Sequence, residues 1–250
     1  MVLPEGVKAV WDLDKAYRQK TPTRERVCIN GLWRWQPVGN AGDAVPIDGW
    51  GYFKVPGSWP GHTDYMEKDS QTLYAHPTWS GVNMGDLTAA WYQREITVPA
   101  EWAGRRVTVY AEYLNSFATV YVDGQRAGEM RFPSGEVDVT SSCAPGTKHV
   151  LSMLVTAMPL KAVMMSYSDT MGAKEVRGSV ERRGLCGDVY LDGTPPGARI
   201  TEAMVETSVR TWEIAFDTAL QGLSADGKYA LRARVTDGGR SVGEFTSNAF

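Results

Sequence analysis

Apolar and polar residues alternate with a period of two over much of this chain. Across residues 106–113, Val107, Val109, Ala111 and Tyr113 fall on one face, and Thr108, Tyr110 and Glu112 on the other. That is the pattern of a half-buried antiparallel strand. Residues 117–122 continue it, and Asp123-Gly124 predicts a two-residue hairpin loop into residues 125–130. Residues 92–98, 137–140, 148–157 and 188–191 read as further strands. Asn30-Gly31, between Val27 and Ile29 on one side and Trp33 and Trp35 on the other, is a hairpin signal. Residues 52–55 form another run, stopped by Pro56-Gly57.

Three stretches break the pattern. Residues 1–26 are polar and irregular, with a short helix expected over 7–17 and with Trp11 and Leu13 as anchors onto the body. Residues 57–90 show neither a helical nor a strand period, yet hold Trp59, His62, Tyr65, Tyr74, His76 and Trp79. Loops this long are usually functional or disordered, and the aromatic rings argue against plain disorder. Residues 161–184 read as loop.

Pro195-Pro196-Gly197 marks a boundary, because two prolines cannot donate to a ladder. Beyond it, residues 199–209, 211–220, 229–235 and 241–245 read as strands, with a turn at Asp237-Gly238-Gly239. An immunoglobulin-like sandwich takes about 7 strands and about 100 residues. Residues 197–250 fall short of that, leaving strand edges and a sheet face uncovered. The chain therefore reads as the front of something longer. No strand–helix alternation supports a parallel α/β fold. The expectation is an all-β protein: an N-terminal arm (1–26), a jelly-roll β-sandwich (27–196) and a partial immunoglobulin-like β-sandwich (197–250).

Composition narrows the function. The formal net charge of the 250 residues is −3, which supplies no basic footprint for nucleic acid or an anionic membrane. The longest uncharged apolar-rich stretch, residues 150–160, is too short for the ~20 residues of a membrane-spanning helix. No signal peptide is evident, and the compartment stays open. Cys28, Cys143 and Cys186 have no paired spacing and read as buried thiols, with one disulfide as the alternative.

Nucleotide, metal and serine-hydrolase motifs are absent. His62, Asp64 and His76 have unspecific spacing and read as loop residues rather than a metal site, and His149 as a hydrogen-bonded sheet residue. No carboxylate pair stands in a context that marks it for glycoside hydrolysis. No catalytic residue, metal or cofactor is assigned. Trp and Tyr rings stack on the C–H faces of sugars, and nearby polar groups fix orientation. Trp59, His62, Tyr65, Tyr74, His76 and Trp79 are thus the candidate carbohydrate contacts. The alternative is that these rings pack the loop onto the body or a neighbouring domain.

Six ordered motifs carry a family resemblance: Asn30-Gly31-Leu32-Trp33; Val55-Pro56-Gly57-Ser58-Trp59; Trp91-Tyr92-Gln93-Arg94-Glu95-Ile96-Thr97-Val98-Pro99; Trp102-Ala103-Gly104-Arg105-Arg106-Val107; Val120-Tyr121-Val122-Asp123-Gly124; and Gly187-Asp188-Val189-Tyr190-Leu191. Over residues 28–196 the chain resembles the non-catalytic front of family 2 glycoside hydrolases, which include β-galactosidases, β-glucuronidases and β-mannosidases. The resemblance implies a jelly-roll sugar-binding sandwich, an immunoglobulin-like sandwich, and then a TIM barrel holding both catalytic glutamates, one in an Asn-Glu dipeptide. This chain has no such dipeptide and no room for a barrel of ~250 residues. It implies as partners a β-linked glycan or glycoside, the barrel, and a homo-oligomer. The loop after the Val55–Trp59 motif, ending near residues 73–77, is the counterpart of one that reaches the barrel mouth in some members. Cys186-Gly187 replaces the family's aromatic-Arg pair. Two other readings follow from the same residues: a free-standing carbohydrate-binding module, or a sandwich that serves as a subunit interface.

Overall fold

The computed structural model describes residues 2–38, 44–60, 72–157 and 182–250 in full, and the backbone alone of residues 162–167 and 173–178. The chain divides into two compact units, Met1–Thr194 and Pro195–Phe250. Both are built of antiparallel strands, and the helical elements among the described residues are 3-10 turns of three residues.

The first unit holds β1 (Arg18–Lys20), β2 (Glu25–Cys28), β3 (Gly31–Pro37), β4 (Gly51–Val55), β5 (Leu73–Tyr74), β6 (Ala89–Thr97), β7 (Arg106–Ala111) and β8 (Leu114–Asn115). It continues with β9 (Phe117–Val122), β10 (Gln125–Arg131), β11 (Gly135–Asp138), β12 (Lys148–Thr156), β13 (Ala162–Tyr167), β14 (Ala173–Gly178), β15 (Gly184–Leu185) and β16 (Val189–Thr194). One sheet has the order β1-β2-β16-β7-β11 and the other β10-β9-β12-β6-β3-β4-β5. They form a jelly-roll sandwich. Val27, Val107, Val109, Ala111, Val189 and Leu191 from the smaller sheet share one core with Trp33, Trp35, Phe53, Tyr92, Val120, Leu151 and Met153 from the larger. The period of two read in β7 and β9 decides which of their side chains enter this core.

Several expectations change. Asn30-Gly31 is not a hairpin turn, because β2 pairs with β1 and β16 while β3 pairs with β4 and β6. The dipeptide carries the chain from one sheet to the other. Asn30 fixes the crossing by donating from Nδ2 to Asp188 (2.8 Å) and accepting the Val189 N–H at Oδ1 (2.9 Å). The helix expected over residues 7–17 is reduced to one 3-10 turn, Leu13–Lys15, and β1 follows it. Trp11 holds the arm by donating from Nε1 to the Cys28 carbonyl (3.0 Å), and Trp11 and Leu13 pack on the core. Residues 161–184 are not all loop, since β13 and β14 pair as a hairpin and β15 pairs with β8.

At one end of the smaller sheet, Glu25 is fully enclosed. Its carboxylate accepts from Trp102 Nε1 (3.0 Å) and faces Arg18 (3.2 Å) and Lys20 (3.7 Å). A buried charge persists only when paired and hydrogen-bonded in this way. None of the three cysteines is in a disulfide. Burial pushes the Cys143 thiol up to about 12.

The second unit consists of two hairpins, β17 (Arg199–Ser208) with β18 (Glu213–Gln221), and β19 (Arg232–Asp237) with β20 (Arg240–Thr246). This is a partial sandwich. Val205, Ile214, Phe216 and Phe245 are all exposed.

In the β9–β10 hairpin, Asp123 takes positive φ, accepts the Val150 N–H (2.7 Å) and contacts His149 Nδ1 (2.7 Å). Burial works to raise its pKa, but these contacts outweigh it and hold Asp123 below the usual carboxylate range. A carboxylate depressed in the folded state adds stability above its unfolded pKa of about 3.9, and that stability is lost as pH falls through the folded value. Asp123→Asn should lower unfolding free energy at pH 7 by about 0.5–1 kcal/mol, a modest figure because the side chain is half exposed. Urea unfolding at pH 7 and pH 3 measures this, and the gap to the wild type should narrow at the lower pH.

Candidate functional site

The turn after β4 starts the candidate region. Its backbone is tied to the closing segment: Gly57 N–H donates to the Leu185 carbonyl and Trp59 N–H to the Arg183 carbonyl, each at 2.9 Å. Trp59 then enters the core, and its Nε1 donates to Tyr92 Oη at 2.6 Å. Burial drives the Tyr92 phenol well above its ordinary pKa, so it remains an un-ionised acceptor. Gly184 makes this contact possible. It has φ +104°, and a Cβ there would overlap both Trp59 Nε1 and Tyr92 Oη.

Arg183 closes the same corner. Its guanidinium lies 5.7 Å from the Trp59 ring and donates to the carbonyls of Leu87 and of Gly85, the latter at 2.8 Å. Desolvation lowers its pKa. The sequence did not single out Arg183. Its signal was weak, a charged residue in a stretch that reads as loop.

Residues 72–79 return along the open edge of the larger sheet. Tyr74 in β5 pairs with Tyr52 in β4. His76 precedes the 3-10 turn Pro77–Trp79, and its Nδ1 accepts the Thr78 N–H at 3.3 Å. Trp79 folds inward, donates from Nε1 to the Gly49 carbonyl (3.1 Å), and meets Trp35 edge-on at 5.4 Å. Gly51 has no side chain because the Tyr74 carbonyl and the Trp79 ring occupy the space a Cβ would fill.

The six candidates therefore separate. Tyr74, His76 and Trp79 lie together at the β4–β5 edge, with Tyr74 and His76 half-buried. Trp59 has 0% exposure and Trp79 7%. The expectation that these two offer open ring faces is corrected: both stand in the aromatic seam around Trp35 and Tyr92. His62 and Tyr65 lie outside the described residues. Among the described residues no group of three His, Cys, Asp or Glu side chains could hold a metal ion.

A second polar feature crosses the outer face of the larger sheet. Arg34 donates to Gln93 Oε1 (3.0 Å), and Gln93 Nε2 donates to Ser152 Oγ (3.2 Å), along three registered strands. Sequence reading makes strands of residues 92–98 and 148–157 but assigns no face to Gln93 or Ser152, both of which are buried. An apolar group of Trp91, Tyr121 and Leu154 lies beside them.

Solved structures share this fold. The chain is similar to a β-glucuronidase from Bifidobacterium dentium, complexed with coumarin-3-O-glucuronide, at 22% identity and TM-score 0.65 over 93% of this chain and 41% of that one. For a β-glucuronidase from Ruminococcus gnavus in complex with D-glucuronic acid the values are 15%, 0.67, 94% and 40%. For a β-D-glucuronidase from Dictyoglomus thermophilum they are 15%, 0.62, 94% and 38%. At these identities the likeness is one of fold. The chain spans about two fifths of the length of these enzymes. No protein-family model and no curated protein matches the sequence.

Gly51→Ala is expected to displace the Tyr74–Trp79 segment and to cost about 1–3 kcal/mol, the range for overfilling a packed site. Thermal unfolding followed by circular dichroism should show the lower midpoint, and a melt unchanged from wild type would refute the close packing.

Proposed function

We propose that this chain is the non-catalytic, carbohydrate-side portion of a glycoside hydrolase acting on β-glycosides, with the catalytic barrel contributed by polypeptide outside these residues. One observation carries the reading: the fold is shared with β-glucuronidases over nearly all of this chain but only about two fifths of theirs. The family 2 motifs, spread over residues 28–196, support it. In this reading the 57–90 segment faces the barrel mouth. Tyr74 and His76 are the carbohydrate contacts among the described candidates. Trp59 and Trp79 hold that edge in place from within the core. The exposed apolar side chains of the second unit, such as Val205 and Phe216, are covered by the remainder of the polypeptide.

Assay of the 250-residue chain against aryl β-glucuronides, β-galactosides and β-mannosides tests the central claim. Turnover should not exceed the uncatalysed rate, and robust hydrolysis of any of the three by the purified chain would overturn it. In the barrel-containing protein, Tyr74→Ala and His76→Ala are each expected to raise KM about tenfold, some 1.4 kcal/mol of binding, with a smaller effect on kcat. Unchanged kinetics for both variants would remove these residues from the carbohydrate site.

A further inference from the structure

Asn30-Gly31 is the one Asn-Gly dipeptide in the sequence, and the fold calls for both of its residues. Asn30 donates from Nδ2 to Asp188 Oδ1 (2.8 Å) and accepts the Val189 N–H at Oδ1 (2.9 Å). A carboxamide does both, whereas a carboxylate of the same shape only accepts. Gly31 has φ +122°, and a Cβ there would come within 3.2 Å of the Arg94 guanidinium. The crossover between the sheets is thus written with the pair of residues most prone to lose a side-chain amide. A following glycine puts no side chain in the way when its backbone nitrogen closes on the asparagine Cγ.

That closure needs the carboxamide to swing free of both partners. In the closed sandwich it is held, and so is the backbone beside it. Ile29 is fully buried, and its N–H donates to the Val189 carbonyl at 2.9 Å. Three hydrogen bonds therefore fasten residues 29–30 to residues 188–189. The acid that would replace the amide does not suit the same place. Where Nδ2 donates to Asp188, an oxygen would face an oxygen. Asp188 Oδ2 already accepts the Tyr190 hydroxyl (2.8 Å), and the Asp188 backbone nitrogen lies 3.4 Å from the Glu112 carboxylate. A new negative charge at residue 30 would join two others.

We propose that Asn30 is a conformationally gated deamidation site, shielded while the crossover is closed and converted when it opens. The Gly31 nitrogen gives its proton to hydroxide and bonds to Asn30 Cγ. The Cγ–Nδ2 bond breaks, and the nitrogen departs as ammonia after taking a proton from water. Water then opens the five-membered imide at either carbonyl, leaving aspartate or isoaspartate. The isoaspartyl form also adds a methylene to the backbone where the chain passes between sheets. The conversion is one-way, so it records openings over the life of the chain and leaves a crossover that closes less firmly. It does not depend on the proposed glycosidase role.

Peptide mapping of the 250-residue chain tests the proposal. Samples are held at pH 8 in buffer and in guanidinium chloride above the unfolding midpoint. Trypsin releases residues 27–34 between Arg26 and Arg34, and mass spectrometry reads the exchange of amide for acid. Conversion of Asn30 should be at least about tenfold slower in the folded chain, because opening limits it. After removal of denaturant, converted chains should melt about 4 °C or more below unconverted ones. Asn30→Asp, which carries the product from the start, should show the same lowering or lose the folded form. The proposal is overturned by equal conversion rates in the folded and unfolded chain, by converted chains that melt with unconverted ones, or by a wild-type melt in Asn30→Asp.

Discussion

Tyr92 stands where the two sheets, the turn after β4 and the closing segment all meet. Its ring lies 6.4–6.5 Å from those of Trp33, Trp35 and Phe53. Its hydroxyl accepts from Trp59 and lies 3.4 Å from the Leu185 backbone nitrogen. A buried phenol is costly unless its oxygen is satisfied. That requirement dictates the position of Trp59, and Trp59 in turn requires a glycine at 184. A single hydroxyl thus fixes two distant loops against one another.

The same constraint organises the candidate edge. Trp79 reaches the seam through Trp35 and draws residues 72–79 across Gly51, which leaves Tyr74 and His76 half-exposed on the rim. The rim is displayed by packing beneath it rather than by its own hydrogen bonds. Across the sheet, the chain from Arg34 through Gln93 to Ser152 shows the other way of organising a surface, with polar groups registered over three strands and screened by the arm.

Much of the sandwich was legible in the sequence because burial on one face writes a period of two directly into β7 and β9, while β12 shows as a continuous β-rich run. The Pro195-Pro196 boundary was legible for a similarly local reason. Asn30-Gly31 misled because turn chemistry states only that the chain reverses, not which partner each strand will find. The β13–β14 hairpin was hidden by Met, Ser and Gly in place of β-branched residues. Trp59 and Trp79 were recognised as important, but a ring that stacks on ligand and a ring that packs in a core have the same letter. Arg94 was passed over as part of a strand motif. Only the strand register, which sets it opposite Leu151 on the face of Tyr92 and Ile96, reveals a cation turned toward the interior.

The nine tryptophans are unevenly placed. Trp33, Trp35, Trp59 and Trp102 are sealed in the first unit, whereas Trp212 in the second is 88% exposed. Indole emission shifts to longer wavelength in water. The blue side of this protein's fluorescence spectrum therefore reports the jelly roll, and Trp212 in the β17–β18 hairpin adds to the red side together with the partly exposed Trp11 and Trp50. Loss of the blue emission on unfolding thus follows the first unit's sealed core with light alone.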